Sequence, residues 1–562
     1  MPTATLSVSH QVEVGGSELA ADVSAQLEST VVTHRLAMPD MASIAFRDPS
    51  HDVLARAGIE IGKPLKISVT SVRSDTPALL FDGEVTSIEA EYDALGARAV
   101  VRGYDRSHRL LAGRRTATYQ NVKYSDVAQQ LASKAGLTPE VDETDGVFDH
   151  LLQANQSDLD FLYQLARLAN RVLRVVGTTL EFKEATPAST GPGAGDISGA
   201  DPVQLWWGAD LLEFSGRMSA VAQVSDIEVR GWDPDRKQAV VGKAQVSASN
   251  ATVSASPSDL AQKAGGQTLM VTDHPVQKQE AADALAAARG EQVGSAGFQA
   301  TAVAVGSPQL RAGTPVSING VDPALAGKWT PTADRHELGN GAYKVGLEFA
   351  GAQDRSLYGL VTQGGAPSPD KRVPGVAVGI VTDNKDPNNL GRVKLSLPWL
   401  GDSAETWWAR MAASGAGPDC GAVWVPQVGD EVLVAFDHGM IDQPYVLGGL
   451  WNGQDAAPLG DGLTDAGKVK RAGFVSRSGH KLVFFDDPGE SGIALISAGD
   501  KFRISLNETK GTLHIYADGD IKVEGSKNVE ISAQGDFKVT AQNVTVQGQA
   551  QTAIKGQTVG LN

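Results

Sequence analysis

The sequence predicts a mainly β protein with a small α+β part, ending in a β-helix shaped as a triangular prism to which three chains each give one wall. Three observations carry this. Apolar and polar residues alternate with period two over much of the chain, as in "PLKISVTSV" and "AYKVGLEFAG". The 62 glycines among 562 residues exceed the usual share of about 7%, which favours many turns and short strands. Near the end, apolar-x-apolar pairs recur every eight residues: Leu513/Ile515, Ile521/Val523, Val529/Ile531 and Phe537/Val539.

Such a length exceeds one core, and roughly three to five domains are expected. The formal net charge of −17 argues against a nucleic-acid partner or steady binding to an acidic membrane surface. A single cysteine, Cys420, leaves no intrachain disulfide and no multi-cysteine zinc site. The start "MPTATLSVSH" has no basic region followed by an apolar one, so synthesis in the cytoplasm without a cleaved signal is expected. No run approaches the roughly 18 apolar residues of a membrane helix.

Residues 1–105 give short alternating strands broken by Asp-Gly and Leu-Gly turns, a small barrel or sandwich. Residues 106–185 change to α+β texture. "SDVAQQLASKAG" reads as a helix with Ser125 as N-cap and Gly136 as its stop. "SDLDFLYQLARLANR" starts with a capping-box-like Ser157-x-x-Asp160, and a hairpin around Gly177-Thr178 follows. Residues 186–204 are a linker; their Gly-x-Gly run has neither the strand nor the helix of a phosphate loop. A second β-rich domain spans 205–363, interrupted by the helix "QKQEAADALAAARG", and a second linker spans 364–375. Residues 376–453 hold roughly five short strands, the size of an OB-fold barrel. Lead-in strands fill 454–511, and the repeats occupy 512–562.

A β-solenoid in one chain needs about twenty residues per coil. Eight residues supply one strand and a corner, under about 29 Å of extended chain. Three chains, each lending one face, close the prism and pair its strand edges. Alternation turns the apolar pairs inward, continuing irregularly through Val544, Val546 and Ile554, while Lys522, Glu524, Asp536 and Lys538 face water. Small residues mark the corners: Ala517, Gly525, Ala533, Ala541, Gly548 and Gly556. An ordinary meander of regular strands is the plainer alternative.

Several stretches resemble a known family. "GIVTDNKDPNNLGRVKLSLPWL", "VPQVGDEVLVAFDHGMIDQPYVLGGLWNG" and "RSGHKLVFFDDPGESGIALISAGDKFRISL" are similar to the spike half of VgrG proteins of type VI secretion. They are also similar to spikes of contractile phage tails and extracellular contractile injection systems. Upstream, "YSDVAQQLASKAGL", "SDLDFLYQLARLANRVLRVVGTTLEF" and "FQATAVAVGSPQLRAGTPVSINGV" resemble the hub half. The resemblance implies a homotrimeric hub and needle that joins a hexameric inner tube and baseplate proteins to a puncturing tip, piercing a target membrane transiently when the sheath contracts. Two hub barrels per chain, taken three times, would match a six-fold tube. An open prism exposes apolar residues at Ile554, Val559 and Leu561, so a small conical tip protein resembling the PAAR family is expected on Val559 and Leu561. Cargo effectors are further partners of such spikes. The short form suits an extracellular or phage-like particle slightly better than type VI secretion.

No catalytic residue, cofactor or metal is expected. Asp486-Asp487 with Glu490 reads as an acidic turn rather than an acid/base pair, and Asp437-His438 as hairpin-loop chemistry. The tail holds only His514, far from its end, so the iron-type His-x-His of some phage spikes is missing. Trp206-Trp207 and Trp407-Trp408 are expected to pack within or between subunits rather than on sugars. The alternative function is a trimeric β-rod that binds glycans as an adhesin or degrades polysaccharide as a tail-spike enzyme.

Overall fold

The computed structural model describes residues 9–560 apart from 37, 72–73, 95, 196–200, 340, 353–372 and 488. It divides into two compact units, Met1–Leu450 and Trp451–Asn562. No helix among the described residues is long and apolar enough to cross a membrane.

An 11-stranded sheet dominates the first unit. Alternation builds it: in Leu27–Arg35 the residues Thr30, Val32 and His34 face the core while their neighbours face outward. The sheet draws on both regions that the sequence divides into separate barrels. Ala333–Gly339 pairs antiparallel with Leu27–Arg35, Asp334 opposite His34 and His336 opposite Val32. The core below is likewise shared, with Phe46 and Ile67 in one cluster with Trp329 and Phe349. Pairing these strands covers two edges that would otherwise stay open.

The α+β part packs the helices Tyr124–Lys134 and Asp158–Leu168 on one core through Val127, Leu131, Phe161 and Leu165. Ser157 caps the second helix, its hydroxyl accepting from the Asp160 N–H at 3.1 Å. Ser125 does not cap the first. Lys123 is the N-cap residue, and its N–H donates to Asp126 at 2.8 Å. The buried Ser125 instead exchanges hydrogen bonds with Thr144, which offers it a partner in the core. Gly136, at φ +72°, ends the helix as expected. The helix Gln279–Ala296 lies close on the hairpin Asp226–Asp233/Gln238–Gln245. A Cβ at Gly294 would stand 2.0 Å from the Ser247 carbonyl oxygen.

The OB barrel uses five strands with a core of Val381, Leu395, Val432, Val434 and Val446. Its "KDPNNLGR" turn is organised by one carboxylate. Asp386 accepts from Arg392 at 2.8 and 3.1 Å and from the backbone N–H groups of Asn388, Leu390 and Arg392. Arg392, the largest influence, holds this carboxyl well below the usual range. In the second unit the strands Arg471–Val475, Lys481–Asp487, Glu490–Ile496, Phe502–Asn507 and Thr512–Ala517 form a meander in sequence order.

Where the large sheet crosses between the two β-rich regions sits a buried polar cluster. His34 Nδ1 lies 2.6 Å from Asp334 Oδ2, and its Nε2–H donates to the Leu80 carbonyl at 2.9 Å. His336 Nε2 lies 2.9 Å from the same carboxylate oxygen, and its Nδ1 lies 2.8 Å from the Tyr343 hydroxyl. Burial works against a charged His34, but the Asp334 and Asp40 carboxylates outweigh it and raise its pKa. Desolvation pushes the nearby Asp40 up to about 7.

Stability should therefore fall as pH rises through neutrality. Asp40 titrates near 3.8 when unfolded, so between there and about 7 the folded state alone keeps the proton. His34 adds to this, since a raised imidazole loses its contribution as pH climbs through the folded value. Thermal melts of Asp40→Asn are expected to show a smaller drop from about pH 5 to about pH 8 than the parent. Equal drops would remove Asp40 as the cause.

Candidate functional site

The candidate site is the repeat wall itself. Its first pair, Leu513 and Ile515, lies in Thr512–Ala517, opposite Leu506 and Ile504 of the neighbouring strand. Beyond Asp518, whose N–H donates to Lys501 O at 2.7 Å, no described residue makes a backbone hydrogen bond within the chain. The chain from there to residue 560 is extended and exposed.

That extended chain bends at a regular interval. Bends fall at 518–519, 526–527, 534–535, 542, 549–550 and 557. Each begins at the residue after one of the six small positions, Ala517, Gly525, Ala533, Ala541, Gly548 and Gly556. The glycines are sterically required at two of them. A Cβ on Gly525 would approach Asn528 O to 2.8 Å, and one on Gly548 would approach Gln551 O to 2.5 Å. The apolar pairs between bends stay uncovered: Ile521 is 59% exposed, Val523 73%, Ile531 71% and Val546 70%. Val529, Phe537, Val539, Val544, Ile554 and Val559 are each more than half exposed as well. Leu561 lies outside the described residues. Lys522 and Glu524 pair with each other on the other side of the alternation.

The meander that feeds the wall carries the same kind of apolar face. Phe484, Ile493, Leu506 and Leu513 stand opposite one another across four strands, and Leu482, Leu495, Ile504 and Ile515 form a second row. Most of these side chains are exposed. The alternation "KFRISLN" carried the signal, but cross-strand register was needed to see two continuous rows.

The chemical candidates occupy defined settings. Asp487 and Glu490 face each other across a tight hairpin, with Asp487 3.3 Å from Lys470 Nζ. Asp437 accepts from the Tyr445 hydroxyl at 3.3 Å, and His438 sits beside it at φ +48°, in a turn. Lys394 Nζ lies 5.3 Å from the Trp407 ring and 5.4 Å from Trp408, and His150 stacks on Trp407. Trp407 thus joins the OB barrel to the α+β part. Trp206 pairs in a small sheet while Trp207 is half exposed. His514 lies beside Tyr516. Among the described residues one cluster of three metal-type side chains occurs, His34, Asp334 and His336. Its polar atoms face one another, Leu80 O, the Ala312 N–H and the Tyr343 hydroxyl.

The family model of the Alg8 N-terminal domain matches residues 4–340, and that of the type VI secretion system/phage-baseplate injector OB domain matches 377–451. A type VI secretion system spike protein of Vibrio cholerae, VgrG3, is 32% identical over 117 residues, 20% of this chain and 11% of that protein. The Pseudomonas aeruginosa spike protein VgrG1c is 28% identical over 145 residues, 23% of this chain and 20% of that protein. The chain thus matches only a tenth to a fifth of the length of these relatives. In fold it is similar to a chain of the half-lidded Francisella PdpA-VgrG complex, with a TM-score of 0.50, 8% identity and coverage of 91% of this chain and 88% of that one.

A side chain at Gly525 should open the corner. Gly525→Val places branched carbons against the Asn528 carbonyl, and trypsin cleavage at Lys522 and Lys527 in the purified protein should rise about tenfold through local strain. Ser526→Ala should leave it unchanged. Equal cleavage of the two variants would mean that the corner needs no glycine.

Proposed function

This chain belongs to the Alg8 N-terminal domain family, and we propose that it is the non-enzymatic, homotrimeric hub and spike of a contractile injection machine. The wall of eight-residue steps carries this reading. Beyond Asp518 its described backbone groups find no partner in their own chain and its apolar pairs stay exposed, and two more walls of the same kind would supply both. Each Ile or Val fully buried between walls contributes about 1.5–3 kcal/mol, enough in sum to hold three chains together. A rod of this kind transmits thrust because no chain can leave without breaking the other two walls.

In this reading residues 1–363 form the hub. Three copies of two β-rich regions meet six tube subunits, and baseplate proteins surround them. Residues 376–453 carry the thrust into the lead-in strands at 454–511 and the needle at 512–562. Val559 and Leu561 receive a small conical tip protein of the PAAR kind, and effectors travel as cargo. The chain is made in the cytoplasm and works as part of a tail-like particle, touching the target membrane only while piercing it.

Mass in solution tests the core of this reading. Light scattering should give three times 58.7 kDa, and a clean monomer would overturn it. Removing residues 544–562 should leave the trimer intact while abolishing co-purification with a conical tip protein. Equal capture by the shortened chain would place the tip elsewhere.

A further inference from the structure

The OB barrel shows two separate apolar surfaces. The first is an arm, residues 412–428, which leaves the barrel after Met411 and returns at Pro426, whose carbonyl accepts from Asn384 Nδ2 at 3.1 Å. Every residue from 412 to 425 is exposed, and the tip pairs only with itself, Ala416–Gly417 against Cys420–Gly421. Asp419 is its single charged side chain. Val423 is 84% exposed, and Trp424 and Val428 are exposed beside it.

The second surface is the outer wall of the same barrel. Strands of a half-solvated barrel should alternate apolar and polar, yet "VAVGIV" and "VLVAF" are apolar throughout. Their inward residues, Val381, Val432 and Val434, make the core. Their outward residues include Val376 and Val378, with Leu433 directly opposite Val378 on the next strand. Trp399 lies over this wall, its Nε1–H donating to the Val378 carbonyl at 3.0 Å, and is itself half exposed. Strands that read as buried on both faces call for a cover on the outer one.

We infer that the arm of one copy packs on this outer wall of a second copy, so that three barrels clasp in a ring. The inference rests on the trimeric reading above. A three-fold ring needs two different complementary patches on each copy, the first meeting the second of its neighbour until the circle closes. Each barrel presents two such patches, both largely apolar, with Asp419 the charge on the arm and Glu431, opposite Ile380, a charge at the edge of the wall. The tether favours the same occupant. Leu450 ends the barrel unit, and the unit that bears the repeats begins at the next residue. Walls gathered into a prism therefore hold three barrels at high effective concentration.

Cys420, the only cysteine, sits exposed at the arm tip and gives a clean probe. The full chain, labelled there with benzophenone maleimide and irradiated, should yield covalent dimers and trimers on a denaturing gel. Mass spectrometry should place the joined peptides within 376–383 or 431–436. Val378→Asp should cut the yield about tenfold by setting an unpaired charge in the contact, with the mass in solution still trimeric. A trimer without such cross-links, or with yield unmoved by Val378→Asp, overturns the clasp and leaves the spike reading standing. A monomer removes both.

Discussion

A peptide group withdrawn from water must find a hydrogen-bond partner, and beyond Asp518 the described residues of the repeat wall have none in their own chain. That constraint governs the second unit. After Ala517 each segment runs to the next bend without assigned strand pairing, and beyond Asp518 no described residue makes a backbone hydrogen bond with a neighbouring segment. Water could satisfy the amides of such a chain, but not the isoleucines and valines set on one side of it. In the proposed trimer the two demands have a common answer in other copies of the same wall. Small residues before each bend then matter as much as the apolar pairs, because corners that cannot close would hold the walls apart.

The first unit meets the same demand internally. Its long sheet pairs strands some three hundred residues apart, and the point of contact is fixed by polar rather than apolar groups. Asp334 receives His34 and faces His336, while Leu80, Ala312 and Tyr343 engage the remaining atoms. Buried and largely satisfied, such a network costs more to misalign than an apolar core does, since a shifted register would strand a charge. It specifies which strands meet. The apolar core beneath supplies most of the energy without that selectivity.

What was legible in the sequence follows from the range of the interactions. Ser157 and Gly136 act within a turn of their helices and were read in place. Ser125 shares the same local signature, but a partner nineteen residues away, Thr144, drew its side chain into the core instead. Period eight was visible because the repeat is itself local, and each of the six small residues precedes a bend. The joining of the two β-rich regions into one sheet was not, because alternation says which face of a strand is buried and nothing about its neighbour. The same blindness hid the apolar rows of the lead-in meander and the His34–Asp334–His336 cluster, whose members look unremarkable until register brings them together.

Register also explains why a meander precedes the wall. In a strand of period two, a slip by one residue turns every side chain to the opposite face. In the proposed trimer, three identical walls with many equivalent steps could mate out of phase by one octad or more at little apparent cost. Thr512–Ala517 prevents this from the start, because it is the first octad and the fifth strand of a sheet that pairs within one chain. Leu513 and Ile515 are thus aimed by Leu506 and Ile504 before any partner arrives. The two apolar rows of the meander hand that orientation on, strand by strand, to the octads beyond. In the proposed trimer, a chain that pairs its first octad within itself would fix which way the inner face of its wall points, so that three copies could zip from a common origin.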